Sequence, residues 1–159
     1  MNITIISVGK LKEKYLKDAA AEYSKRLSRY CKLNIIEVMD EKVPEKTSER
    51  EKDLIKRREG KRILKYLDNR SYIISLDLKG NMMTSVEFAR SIEQLTLKGN
   101  SSIIFIIGDS LGISEEILQK SDYRLCFSKM TFPHQLFRIM LLEQIYRTFK
   151  ILRGEPYHK

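Results

Sequence analysis

Short apolar runs and longer amphipathic stretches alternate along the chain from its first residues to its last. Residues 2–8 (NITIISV) have the branched, apolar character of a strand. Over residues 11–30 the positions Leu11, Tyr15, Ala19, Tyr23 and Leu27 recur every four residues and predict a helix. Residues 33–39 (LNIIEVM) predict a second strand. A polar connection holding Pro44 then leads into a highly charged helix over residues 48–67, with Ser48 and Glu51 at capping-box spacing. Residues 72–78 predict a third strand, Lys79, Gly80 and Asn81 a turn, and Thr84 with Glu87 a second capping box that opens a helix to Leu97. The run SIIFIIG is the most apolar in the chain and predicts a central strand covered on both faces. Ser114 is placed to cap a short helix through Lys120, residues 123–128 predict a fifth strand, and Pro133 suits the first position of a last helix ending near Arg153.

Strict strand and helix alternation implies an α/β fold, a parallel-sheet α/β/α sandwich, in a single domain without repeats. The last helix departs from simple amphipathicity. Leu136, Phe137, Ile139, Met140, Leu141 and Leu142 make its first half apolar nearly all round, and Ile145, Tyr146, Phe149 and Leu152 keep one apolar face in the second. An element of that kind needs cover on more than one side, which predicts a homodimer through this helix. Arg138 falls in the middle of the apolar stripe; it either snorkels to the surface or pairs with a carboxylate or phosphate across an interface.

Charge adds a partner class. Thirty basic against 21 acidic residues leave a net charge of +9, which favours a polyanion, nucleic acid before an anionic membrane. The basic residues concentrate on the first helix (Lys10, Lys12, Lys14, Lys17, Lys25, Arg26, Arg29) and the second (Lys52, Lys56, Arg57, Arg58, Lys61, Arg62, Lys65), where they either contact phosphates or form solvated faces with their Glu neighbours. Cys31 and Cys126 are too few for a disulfide framework and lack metal-ligand spacing, so both are expected to be buried thiols, with no metal. The run ITIISV is too short for a signal-peptide core and no apolar run approaches bilayer-spanning length; the expected location is cytoplasmic, away from membranes.

In an open parallel sheet, ligands bind beyond the carboxyl ends of the strands. Three such ends carry loop chemistry: LDLKG, IGDSLG and FSKMTFPH. Gly108 and Gly112 in the second either let a backbone approach a ligand or simply punctuate a turn. Neither GxGxxG nor GxxxxGK[ST] occurs, which excludes the usual dinucleotide and P-loop sites. His134 follows Pro133 at a helix N-terminus, where it either helps to receive an anion or packs against its neighbours.

The stretch FSKMTFPHQLFRIMLLEQIYRTFKILRGEPYHK, with NITIISVGKLKEKYLKDAAAEYSKRL at the start and IIFIIGDSLGIS between, resembles the ribosomal large-subunit methyltransferase H family over essentially the entire chain. These are small SPOUT-class enzymes that methylate N3 of a pseudouridine in the 23S rRNA of the assembled ribosome. The resemblance implies a C-terminal trefoil knot, S-adenosylmethionine bound in it, a homodimer and no metal. By position, the cofactor residues would be Leu76, Gly108, Phe127, Ser128, Lys129, Met130, Thr131 and Phe132. Relatives usually have Gly-Gly where this chain has Gly108-Asp109.

Methyl transfer from a sulfonium is an in-line displacement, and the weakly acidic N3–H of the acceptor must lose its proton before or during attack. The resemblance implies that the tail of one subunit completes the cofactor pocket of the other. Tyr157 would orient the base, His158 would handle the proton, Arg147 would join them as a cationic donor, and Lys159 would contact RNA together with Arg138 and His134.

Overall fold

In the computed structural model, which describes residues 1–157, the isoleucine-rich runs become one sheet. Its strands are β1 (Asn2–Val8), β2 (Lys32–Val38), β3 (Tyr72–Met82), β4 (Ser102–Ile107) and β5 (Tyr123–Cys126), in the order β2-β1-β4-β3-β5 with every pairing parallel. β4 is the middle strand, as its unbroken apolar run predicted. Ile103, Phe105 and Ile107 point to one face and Ile104 and Ile106 to the other.

The helices are α1 (Lys14–Leu27), α2 (Glu49–Leu64), α3 (Ser85–Leu97), α4 (Glu115–Lys120) and α5 (His134–Leu152). α1, α3 and α5 cover the first face through residues such as Leu16, Phe88 and Leu141, while α2 and α4 cover the second through Ile63 and Ile117. Both predicted capping boxes form: Ser48 with Glu51 starts α2, and Thr84 with Glu87 starts α3. Cys31 and Cys126 are free and buried, and burial pushes the Cys31 thiol up to about 11.

Local differences from the sequence reading have local causes. The expected turn at Lys79, Gly80 and Asn81 is instead part of β3, which leaves β5 after Leu76 and rejoins it at Asn81. The segment between is held by Asp77, whose carboxylate accepts from Arg124 Nε at 2.8 Å. Pro133 caps α5 rather than opening it; its carbonyl accepts from the Leu136 amide. Ser114 occupies the cap position of α4 without bonding through its side chain, and its Oγ is buried without a partner.

α5 lies between α1 and α3 with the sheet beneath, so much of its all-round apolar surface is covered inside its own chain. Arg138 does not snorkel: it is 2% exposed and faces the sheet. Its Nη1 donates to Glu37 Oε1 on β2, and its Nη2 donates to the Gly9 carbonyl beyond β1 at 2.8 Å. This corrects its expected place at a substrate surface; a buried guanidinium must be paired, and the partners are in the same chain. Nearby, Gln135 Oε1 accepts from the Lys12 amide at 2.9 Å, so the start of α5 is tied to the loop after β1. Arg138→Ala would leave the Gly9 carbonyl without this donor and open a void; urea denaturation is expected to show a loss of about 3 kcal/mol. Arg138→Met, which refills the space without a charge, should lose less, and an alanine variant as stable as the parent would contradict the clamp.

Candidate active site

The carboxyl ends of β3, β4 and β5 open into one cavity of about 650 Å3. Its apolar lining comes from Leu76, Ile107, Leu125, Phe127, Phe132 and Phe137. Phe137 meets Phe132 edge-on at 5.8 Å and Phe127 at a tilt at 5.9 Å, so α5 and the segment after β5 share one aromatic wall. Gly108 sits where β4 ends. A Cβ there would lie 2.7 Å from the Gly112 carbonyl oxygen, so the tight return of this loop requires glycine.

Polar groups gather at the same end. Asp109 lies 3.1 Å through Oδ1 from His134 Nδ1, and both line the cavity. His134 is therefore in the cavity wall, paired with Asp109. Of the other expected cofactor residues, Leu76, Gly108, Phe127, Thr131 and Phe132 line the cavity, whereas Ser128, Lys129 and Met130 do not. Ser128 Oγ accepts from the Met130 amide at 3.0 Å, and Met130 is 71% exposed.

Tyr157 and Arg147 come together, but outside this cavity. The Arg147 guanidinium lies 4.7 Å from the Tyr157 ring centroid, and Glu143 Oε1 accepts from Arg147 Nη2 at 2.6 Å and from the Tyr157 hydroxyl at 3.2 Å. Glu143 also lines a neighbouring groove of about 410 Å3, which shares Leu125 and Phe127 with the cavity. Burial, then the Tyr23 hydroxyl and the Glu143 carboxylate, pushes the Tyr157 phenol well above its ordinary value. Glu143 likewise raises Arg147, which stays a cation. His158 and Lys159 lie outside the described residues.

Asp77, Phe137 and Glu143 were not singled out by sequence. Only Glu143 carried a usable signal, its four-residue spacing from Arg147. Part of the basic character of the helices is neutralised locally: Lys14 pairs with Asp18, Arg26 with Glu22, Lys52 with Glu49, Arg57 with Asp53 and Arg62 with Glu41. Among the described residues no group of three or more His, Cys, Asp or Glu could hold a metal ion, and no helix is long and apolar enough to cross a membrane.

A family model described as predicted SPOUT methyltransferase matches residues 1–158. The chain is 69% identical to a Clostridium kluyveri protein named ribosomal RNA large subunit methyltransferase H. It is 64% identical to proteins of the same name from Clostridium acetobutylicum and Clostridium tetani. Each similarity spans 159 residues and 100% of both chains.

One buried carboxyl adjoins the glycine loop without lining the cavity. Glu59 on α2 is 2% exposed; its Oε1 accepts from the Glu41 amide at 3.0 Å, and its Oε2 has no hydrogen-bond partner. Burial, with the charge of Asp109 adding to it, pushes this carboxyl from 4.5 to about 7. Because the folded pKa is raised, the folded state binds more protons than the unfolded one between those values. Stability from this group is therefore full below about 4.5 and declines as pH rises through about 7. Glu59→Gln should remove that decline: urea denaturation at pH 5 and pH 8 is expected to show its advantage over the parent growing by about 2 kcal/mol between the two. Parallel pH profiles would show that Glu59 titrates normally.

Proposed function

Because the chain belongs to the SPOUT methyltransferase family, we propose that it transfers the methyl group of S-adenosylmethionine to N3 of a pseudouridine in 23S rRNA of the assembled ribosome, acting as a cytoplasmic homodimer without a metal. The full-length likeness to large-subunit rRNA methyltransferases carries this reading. The cavity supports it independently. Its volume suits a nucleoside with an amino-acid arm, its aromatic wall suits the flat base, and its rim offers backbone amides and carboxylates to the polar ends. The knot of the family belongs to the same reading.

Bound S-adenosylmethionine supplies an electrophilic methyl group on a sulfonium. Leu76, Gly108, Phe127, Thr131 and Phe132 would hold it from the cavity wall, with Ser128, Lys129 and Met130 flanking from the outer side of the same segment. The apolar lining excludes water, so that the acceptor nitrogen is the nucleophile nearest the methyl group. Asp109 fixes the His134 ring at the rim, where the imidazole can meet the incoming nucleotide.

The tail residues divide the remaining work. Tyr157 keeps its proton at neutral pH and therefore orients the base as a neutral phenol instead of abstracting a proton. Arg147, permanently cationic, stabilises negative charge developing on the ring carbonyls. That leaves His158 to take the N3 proton and Lys159 to contact RNA. None of the described tail residues lines the cavity of its own chain, which supports completion of the site by a second subunit. α1 and α2 lie on opposite faces of the sheet, so RNA phosphates that meet the basic residues of α1 approach from the side of α5.

The test is methyl transfer from labelled S-adenosylmethionine to ribosomes, free subunits and bulk tRNA, with the product located by mass spectrometry. Label is expected in 23S rRNA of ribosomes; label in tRNA alone would overturn the substrate. Deleting residues 157–159 should lower turnover at least about a hundredfold while donor affinity, measured by calorimetry, stays nearly unchanged. Mixing the deletion with a cavity variant should restore part of the activity if sites form across a dimer.

A further inference from the structure

The end of the chain is fastened at two places. Gly154, at φ +62, closes α5 with the paired bonds of a left-handed helix stop: its amide donates to the Ile151 carbonyl, and the Glu155 amide to that of Lys150 at 2.9 Å. This turns the chain back toward the helix it has just left. Glu155 is then held by the Tyr30 hydroxyl at 2.7 Å and by Lys150 Nζ at 2.5 Å. Two residues later the Tyr157 ring meets the edge of Tyr146, with centroids 4.9 Å apart, under the Arg147 guanidinium and against Glu143.

Glu143 is the centre of this second fastening. A carboxylate four residues before an arginine is ordinarily a weak surface pair. Here both oxygens are engaged: Oε1 accepts from Arg147 Nε at 2.9 Å, Arg147 Nη2 and the Tyr157 hydroxyl, and Oε2 accepts from Gln144 Nε2 at 2.7 Å. Gln144 is fixed in turn, because its Oε1 accepts from Ser85 Oγ at the start of α3 at 2.7 Å. The carboxylate is thus oriented from α3 through contacts that do not involve the tail, and it lines one groove with Phe127, which also walls the cavity.

We propose that Glu143 is a positioning residue for methyl transfer: held by Gln144 and Ser85, its carboxylate anchors Arg147 and the Tyr157 hydroxyl so that the Tyr157 ring is kept in one orientation against α5. The proposal rests on the methyl-transfer reading above and adds to it a residue that touches neither donor nor acceptor. Without the carboxylate, the Arg147 guanidinium and the Tyr157 hydroxyl lose the group that they share. The tail then samples many directions, and correctly aimed encounters become rare.

The experiment compares full-length parent, Glu143→Ala and Glu143→Gln, each with tyrosine labelled with carbon-13 at Cζ and the Tyr157 resonance assigned by Tyr157→Phe. In the parent this resonance should not titrate near the ordinary tyrosine value of about 10, since burial, the Tyr23 hydroxyl and the Glu143 carboxylate all oppose ionisation of the phenol. In Glu143→Ala it should titrate at lower pH than in the parent, because the carboxylate is removed while burial and the Tyr23 hydroxyl remain, and kcat on ribosomes should fall about a hundredfold while donor affinity and KM change little. Glu143→Gln, which keeps the shape and one acceptor, should fall between and serves if the alanine variant does not fold. A Tyr157 resonance that titrates identically in parent and variants overturns the anchor, even if deletion of residues 157–159 abolishes activity. A released Tyr157 with kcat unchanged overturns the positioning role, and full activity of the deletion then places the failure in the reading of the tail itself.

Discussion

A guanidinium withdrawn from water must be met by fixed partners, and the position of α5 follows from how Arg138 meets that demand. Glu37 and the Gly9 carbonyl stand at the carboxyl ends of β2 and β1, so the pairing sets both the height and the rotation of the helix on the sheet. Apolar contacts from Leu141, Leu142 and Ile145 would tolerate a small slide; an ion pair to Glu37 combined with a hydrogen bond to the Gly9 carbonyl does not. His134 and Phe137 stand one turn or less before the clamp and reach the cavity, and Glu143 and Arg147 stand beyond it and reach the tail. One helix therefore fixes the cavity wall and the tail relative to each other.

The two ends of that helix work in different electrostatic settings. At the cavity, carboxylates of Asp77 and Asp109 stand at the edge of a mainly apolar lining, and the group facing Asp109 is the His134 imidazole. At the tail, a permanent cation and a phenol share one carboxylate. The two halves lie on either side of Phe127, and the Glu143 carboxylate does not line the cavity of its own chain.

Most of the architecture was legible in the sequence, because local signals agreed with the global fold. The isoleucine runs, the capping boxes at Ser48 and Thr84 and the strict alternation of elements each needed only nearby residues to be read. The cavity was legible to the level of three loops, since loops at the carboxyl ends of parallel strands converge wherever their strands are neighbours, as β4, β3 and β5 are. What escaped depended on contacts distant in sequence. Arg138 is separated from Glu37 by 101 residues, and no periodicity within α5 distinguishes a snorkelling arginine from one that is clamped. The bulge of β3 is likewise set by Arg124 holding Asp77 from the neighbouring strand. Within the 127–132 segment, a serine hydroxyl bonded two residues ahead decides which side chains face the cavity, a choice of local geometry that residue types leave open.

The apolar first half of α5 also has a more economical explanation than sequence alone provided. The sheet, α1 and α3 account for most of its buried circumference, and Leu141 and Leu142 need no second subunit to cover them. The surface still open lies along Ile139 and Met140, continuous with Met83 and Phe127 and bounded by Glu143 and Gln144. A partner seated there would close an apolar strip beside Phe127 and would meet the anchored tail at its edge, so subunit contact and site completion would occur at one surface. The demand for apolar cover is then narrower than a whole helix face, but it falls where a shared active site requires it.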